Sequence, residues 1–197
     1  MNQTKAKRMD TKTMVLCAVF TALVVILQLL GSFIKLGPFS ISLVLIPIVL
    51  GAATCGVGAG AWLGLVFGVT VLASGDAGAF LTVNVIGTVI TVLAKGILCG
   101  WTAGIVFKSL ERFNRYGAVI ASAIVCPVVN TGVFLLGCLA FFMPTIEAWA
   151  AGADLGGGVA HYIIFVLVGA NFLVELASNI ILSPVIVRLI NIRKNNN

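Results

Sequence analysis

Along this chain apolar residues come in long unbroken runs separated by short polar segments. The three-or-four spacing of a half-buried helix is not the main pattern. Residues 14–34 carry no charge, and an α-helix needs about 20 residues to span the hydrocarbon layer of a bilayer. Residues 41–72 are also uncharged, too long for one span, and Thr54-Cys55-Gly56 is the point at which the run breaks in two. Residues 84–107 hold one charge, Lys95; residues 116–141 hold none; residues 162–187 hold one, Glu175. The pattern predicts six helices joined by short loops. The second, about 41–53, is short and carries Pro47, which predicts a kink or a tilt.

Composition turns these runs into membrane spans. Sixty per cent of the residues are hydrophobic and 9% charged, against about 25% charged in soluble domains. More apolar surface is present than any core could bury, so the surplus faces lipid. The expected fold is an all-α membrane protein of six transmembrane helices. A segment at 1–13 precedes the membrane domain at 14–190, and a tail at 191–197 follows it. The basic segment Lys5-Ala-Lys-Arg8 leads into an apolar run too long for a signal core, so the first run is expected to be a retained helix.

The net charge of +6 follows from topology. Lys5, Lys7, Arg8 and Lys12 precede the first run, Lys108, Arg112 and Arg115 lie between the fourth and fifth, and Arg188, Arg193 and Lys194 follow the sixth. In a six-helix chain these segments share one side, opposite Lys35, Asp76, Glu147 and Asp154. Excess Lys and Arg mark the cytoplasmic side, so both termini are expected there. No nucleic-acid partner is needed to explain the charge. Of the cysteines, Cys17, Cys99, Cys126 and Cys138 fall inside the runs and Cys55 in a turn. None has metal-site spacing, and they read as small packing residues.

Glycine is patterned. Gly56, Gly60, Gly64 and Gly68 fall four apart, as do Gly96, Gly100 and Gly104. Residues four apart share a helix face, so each series is a flat groove for another backbone, with internal helix packing as the favoured use. Ala18 and Ala22 repeat the spacing more weakly in the first run. Of the outer loops, the longest spans 142–161 and carries Pro144, Glu147, Trp149, Asp154 and Gly156-Gly157-Gly158. It reads either as a lid or as a linker. Trp149 and Tyr162 suit the membrane–water boundary.

Polar residues within the runs are the candidates for chemistry, because each is costly in hydrocarbon. Asn84, Thr88, Thr91 and Lys95 fall three or four apart on one face of the fourth helix, and Asn171, Glu175, Ser178 and Asn179 on one face of the sixth. Asn130 and Thr131 come from the fifth, and Gln28 from the first. Lys95 and Glu175 both sit near mid-depth. They either form a bridge that fixes two helices or face a ligand cavity, with Lys95 available to a carboxylate or phosphate. The polar stripe beside both charges favours the cavity. His161, the only histidine, stands at the outer mouth of the sixth run as an interfacial residue or a ligand contact. With no second ligand at useful spacing, no metal is expected. The chain also lacks a Gly-x-x-x-x-Gly-Lys-Ser/Thr loop, Gly-x-Ser-x-Gly and His-Glu-x-x-His. An enzyme is disfavoured and no cofactor is implied.

An ordered set of motifs resembles the substrate-specific S components of energy-coupling-factor (ECF) vitamin transporters. The set begins with the basic start, Ala18-x-x-x-Ala22, Leu36-Gly-Pro-Phe-Ser40 and Ser42-Leu-Val-Leu-Ile-Pro47-Ile-Val-Leu-Gly51. It continues with Gly60-Ala-Trp-Leu-Gly64-Leu-Val-Phe-Gly68, Lys95-Gly-Ile-Leu-Cys-Gly100, Gly104-Ile-Val-Phe-Lys108, Asn130-Thr131 and Asn171-Phe-Leu-Val-Glu175. The resemblance implies a subunit of the bacterial plasma membrane that binds a vitamin or related micronutrient near its outer face. The last three helices and the first and third loops would form the pocket. It implies docking, through Ala18 and Ala22, on a membrane T component that carries two cytoplasmic ATPases. The absent ATP motif fits a subunit driven by others. Relatives often have arginine where this chain has Lys95, so the charge stays and the bidentate fork is lost. An anionic vitamin such as pantothenate is the first expectation; riboflavin, folate, pyridoxine and queuosine precursors stay open. The alternative is a solitary secondary carrier or channel for a small solute.

Overall fold

The computed structural model describes residues 10–33, 35–36, 39–40, 43–153 and 158–195. Several residues of the sequence reading lie outside the described residues: Lys5, Lys7, Arg8, Gly37, Pro38, Ser42, Asp154, Gly156 and Gly157. The elements are α1 (Thr11–Gly31), β1 (Lys35–Leu36), β2 (Phe39–Ser40), α2 (Leu45–Cys55), α3 (Val57–Ser74), α4 (Gly78–Leu81), α5 (Val85–Leu110), α6 (Arg115–Phe141), α7 (Met143–Gly152) and α8 (Gly158–His161). A π-helical stretch, Tyr162–Gly169, and α9 (Ala170–Asn195) follow.

Among the described residues, five helical segments are long and apolar enough to cross a membrane: α1, α3, α5, α6 and Gly158–Pro184. The sixth expected span differs. α2 has only 11 residues and rises about 16 Å, roughly half the hydrocarbon layer. The first loop is one cause, because β1 and β2 form a two-residue antiparallel ladder and the chain reaches helix only at Leu45. Gly56 is the other: at φ +100° it ends α2 and turns the chain into α3. That is the break expected at Thr54-Cys55-Gly56. Pro47 does not kink α2. It lies in the first turn, where a missing N–H breaks no helical bond.

α2 is the centre of the bundle. Leu45 and every residue from Pro47 to Ala52 are buried, and α1, α3, α5, α6 and α9 all pack on it. A helix that is apolar on every side belongs in such a place. Around it, large side chains such as Val15, Ile86, Leu136, Leu173 and Ile181 are exposed, which suits a surface bathed in lipid.

The two glycine series face each other. A Cβ placed on Gly60 would strike the carbonyl of Gly100, and one on Gly64 the carbonyl of Gly96; the reverse pairs collide equally. α3 and α5 therefore run antiparallel in backbone contact along the seam. Asparagines start the two longest continuous α-helices before α9. Asn84 Oδ1 accepts from Gly87 N at 2.9 Å ahead of α5, and Asn114 Oδ1 accepts from Tyr116 N at 2.9 Å ahead of α6.

The final helix departs from expectation. Where one regular α-helix was predicted over 162–187, the chain makes a π-helical stretch first, and α9 then stays helical to Asn195, past residue 190. A Cβ on Gly169 would sit 2.6 Å from the carbonyl oxygen of Ile164, so the wide turn is built on a glycine. The segment after α6 contains α7, and the loop after α3 holds the single turn α4.

Candidate functional site

α5 presents its glycines to α3 and its polar side to a cleft. Lys95 stands about 15 Å along α5 from its start, with Thr91 one turn and Thr88 two turns nearer the α4 end. α9 brings Asn171 and Glu175 to the same space, α3 brings Phe67 and Val71, and α6 brings Phe134. The cleft has about 570 Å³ of free space, its open mouth included. A second cleft, about 360 Å³ on the same measure, lies between α6, the π-helical stretch and α9, and is lined by Asn130, Thr131, Leu167, Val168 and Phe172. Lys95, Phe134, Asn171 and Glu175 line both. The two spaces are thus neighbours across a shared wall.

Lys95 and Glu175 do not close on each other as an ion pair. The Lys95 ammonium lies over the rings of Phe67 and Phe134, 5.5 and 5.7 Å from their centroids. Desolvated contacts of this kind are worth up to about 2 kcal/mol, which offsets part of the cost of a mid-membrane charge of about 2.5–3.5 kcal/mol. Glu175, only 3% exposed, accepts one long hydrogen bond of 3.4 Å from Asn130 Nδ2. A carboxylate has about four lone-pair sites, so its capacity is mostly unused.

Around these charges, buried oxygens lack partners: Thr91 Oγ1, Asn130 Oδ1, Asn171 Oδ1 and Asn179 Oδ1 make no hydrogen bond among the described residues. Such groups are rare in folded proteins and cost about 1–3 kcal/mol each. Three of the four belong to residues that line the clefts: Thr91, Asn130 and Asn171.

Of the residues singled out from the sequence, Thr88, Thr91, Lys95, Asn171 and Glu175 line the first cleft, and Asn130 lines the second. Asn84 is a helix cap and lines neither. Asn179 is buried one turn beyond Glu175, outside both linings. His161 packs on Phe165, ring centroids 4.5 Å apart, with its Nδ1 buried and unpartnered. Ala18 and Ala22 are exposed on α1, and Ala18 borders an apolar groove with Met14, Cys17, Thr21 and Trp62.

Other lining residues were not legible as such. Gln28 Nε2 donates to Asp76 Oδ2 at 2.6 Å, joining α1 to the turn after α3 at the edge of the cleft. Gln28 was visible as a polar residue in an apolar run, Asp76 only as a loop charge. Phe80 of α4 meets Phe134, Phe142 and Trp149 edge-on, centroids 5.7, 5.0 and 5.5 Å apart. This aromatic cluster ties α4 and α7 over one end of the first cleft. No sequence spacing links four rings on three helices and the junction between two of them. Among the described residues no three His, Cys, Asp or Glu side chains gather as a metal site.

A family model described as "ECF transporter, substrate-specific component" matches residues 12–188 of the chain. No curated protein and no solved structure matches it.

Proposed function

The chain belongs to the substrate-specific components of ECF transporters, and from that premise we propose that it captures a vitamin-class solute in the cleft between α1, α3, α5, α6 and α9. As a member of that family it is a multi-pass membrane protein that works with a membrane T component and ATPases. The finer reading is a bacterial plasma-membrane subunit with a membrane domain at 14–190, α2 completing six crossings, and both termini in the cytoplasm. The cleft then opens outward, and Lys95 meets an anionic group of the solute; pantothenate is the first compound to try. Ala18 and Ala22 lie on the face of α1 that docks on the T component. The observation that carries this reading is the pairing of a half-buried lysine, held over two rings, with polar oxygens that find no partner among the described residues.

Purified protein should bind one B vitamin in a one-to-one ratio at nanomolar to micromolar strength. Ala18→Phe combined with Ala22→Phe should keep that binding while a pull-down from native membranes loses the T component and the two ATPases. A protein that moves solute across liposomes with no partner present is instead a secondary carrier, and the reading fails.

A further inference from the structure

Resting on the reading of the cleft as a solute site, we propose that its second chamber is a subsite for a nitrogen-borne hydrogen-bond donor: an ammonium, an amidinium or a ring amino group of the substrate. Of the polar side chains that line that chamber, Lys95 and the Thr131 hydroxyl can donate, and Glu175, Asn130 and Asn171 supply the acceptors. Glu175 is buried and accepts one bond, from Asn130 Nδ2 at 3.4 Å. That bond orients the Asn130 amide, and it leaves Oδ1 of a side chain only 5% exposed with no partner beside the chamber. Asn171 Oδ1 is buried and unpartnered as well, and Asn171 lines the same chamber.

A bare carboxylate or phosphate placed against Glu175 would meet only lone pairs there. A group that carries two or three N–H bonds, with or without a positive charge, satisfies them, and charge-assisted bonds to a carboxylate are about twice as strong as neutral ones. Lys95, on the shared wall, is a cation that lines both clefts. The substrate is therefore dipolar: its donor nitrogen points to Glu175, Asn130 and Asn171, and its acceptor or anionic end lies toward Lys95 and the first cleft. A purely anionic solute would leave the second chamber unsatisfied.

The test uses the full chain in detergent or nanodiscs. Small molecules that copurify with the wild-type protein, with Glu175→Gln and with Asn171→Leu are extracted and identified by mass spectrometry, with accurate mass and fragmentation locating any amino nitrogen. Each variant is first checked for a monodisperse profile. The expected solute carries an amino, amidino or ring amino nitrogen, and either variant retains at least tenfold less of it. Pyridoxamine should displace it at least tenfold better than pyridoxine, which differs in bearing a hydroxyl in place of the amine. A retained solute without such a nitrogen, equal displacement by the two compounds, or undiminished retention in whichever variant is monodisperse overturns the subsite and leaves solute capture standing. A wild-type protein that retains nothing, and binds no B vitamin, removes the solute-binding reading itself.

Discussion

The two sides of α5 make opposite use of one helix. Toward α3, Gly96 and Gly100 let carbonyl oxygens lie where a side chain would begin, and nothing else fits between the backbones. Toward α6 and α9, Thr88, Thr91 and Lys95 border a polar space where Thr91 Oγ1 and Asn171 Oδ1 lack partners among the described residues. In lipid no hydrophobic effect drives helix on helix, so close backbone contact supplies the cohesion. A seam that tight supplies it without help from the other face. The cleft is free to carry groups that cost stability, because the glycine seam and the buried α2 hold its walls in place. Strong cohesion on one side of a helix is what allows unmet polar chemistry on the other.

The seam is the place to break this comparison first. Gly64→Leu should abolish monodisperse protein, since even a Cβ there meets the Gly96 carbonyl, and overpacking against rigid backbone costs about 1–3 kcal/mol or more. Gly58→Ala on the same helix, where a Cβ meets nothing within 4 Å, should leave thermal stability and solute binding as they were. If both variants behave alike, the seam is not what holds α5.

Lys95→Ala tests the opposite face. It should weaken vitamin binding at least tenfold, about 1.4 kcal/mol, with no loss of thermal stability, because it removes a costly charge from the middle of the membrane. Unchanged affinity by calorimetry would remove Lys95 from the site; lost stability would make it structural.

Phe80→Ala should have the smallest effect. It removes three edge-on ring contacts that tie α4 and α7 over the cleft, each worth about 0.5–1.5 kcal/mol. Solute release, followed by stopped flow, should quicken about threefold while the bundle stays folded. A slower release would mean that the rings hold the cleft open rather than closed.

Much of this was legible in linear order. Long uncharged runs place five full-length helices, and Gly56 marks the break between α2 and α3, because membrane thickness and glycine conformation act on neighbouring residues. The polar stripes of α5 and α9 were visible for the same reason: a helix puts residues three or four apart on one face. The short α2 was readable as short, but its burial in the centre was not. Its all-apolar sequence fits lipid and protein equally well.

The sequence by itself determined that this chain lives in a membrane, that its long apolar runs are helical, and that glycine and polar stripes exist. Only the tertiary structure decided that the two glycine stripes meet each other, that Lys95 rests on Phe67 and Phe134 rather than on Glu175, and that Gln28, Asp76 and Phe80 border the same space. The physical reason is range. Helix formation and insertion into lipid are set by neighbours within a few turns, whereas a cleft is made where residues far apart in the chain come to share one surface, and no periodicity records which face meets which.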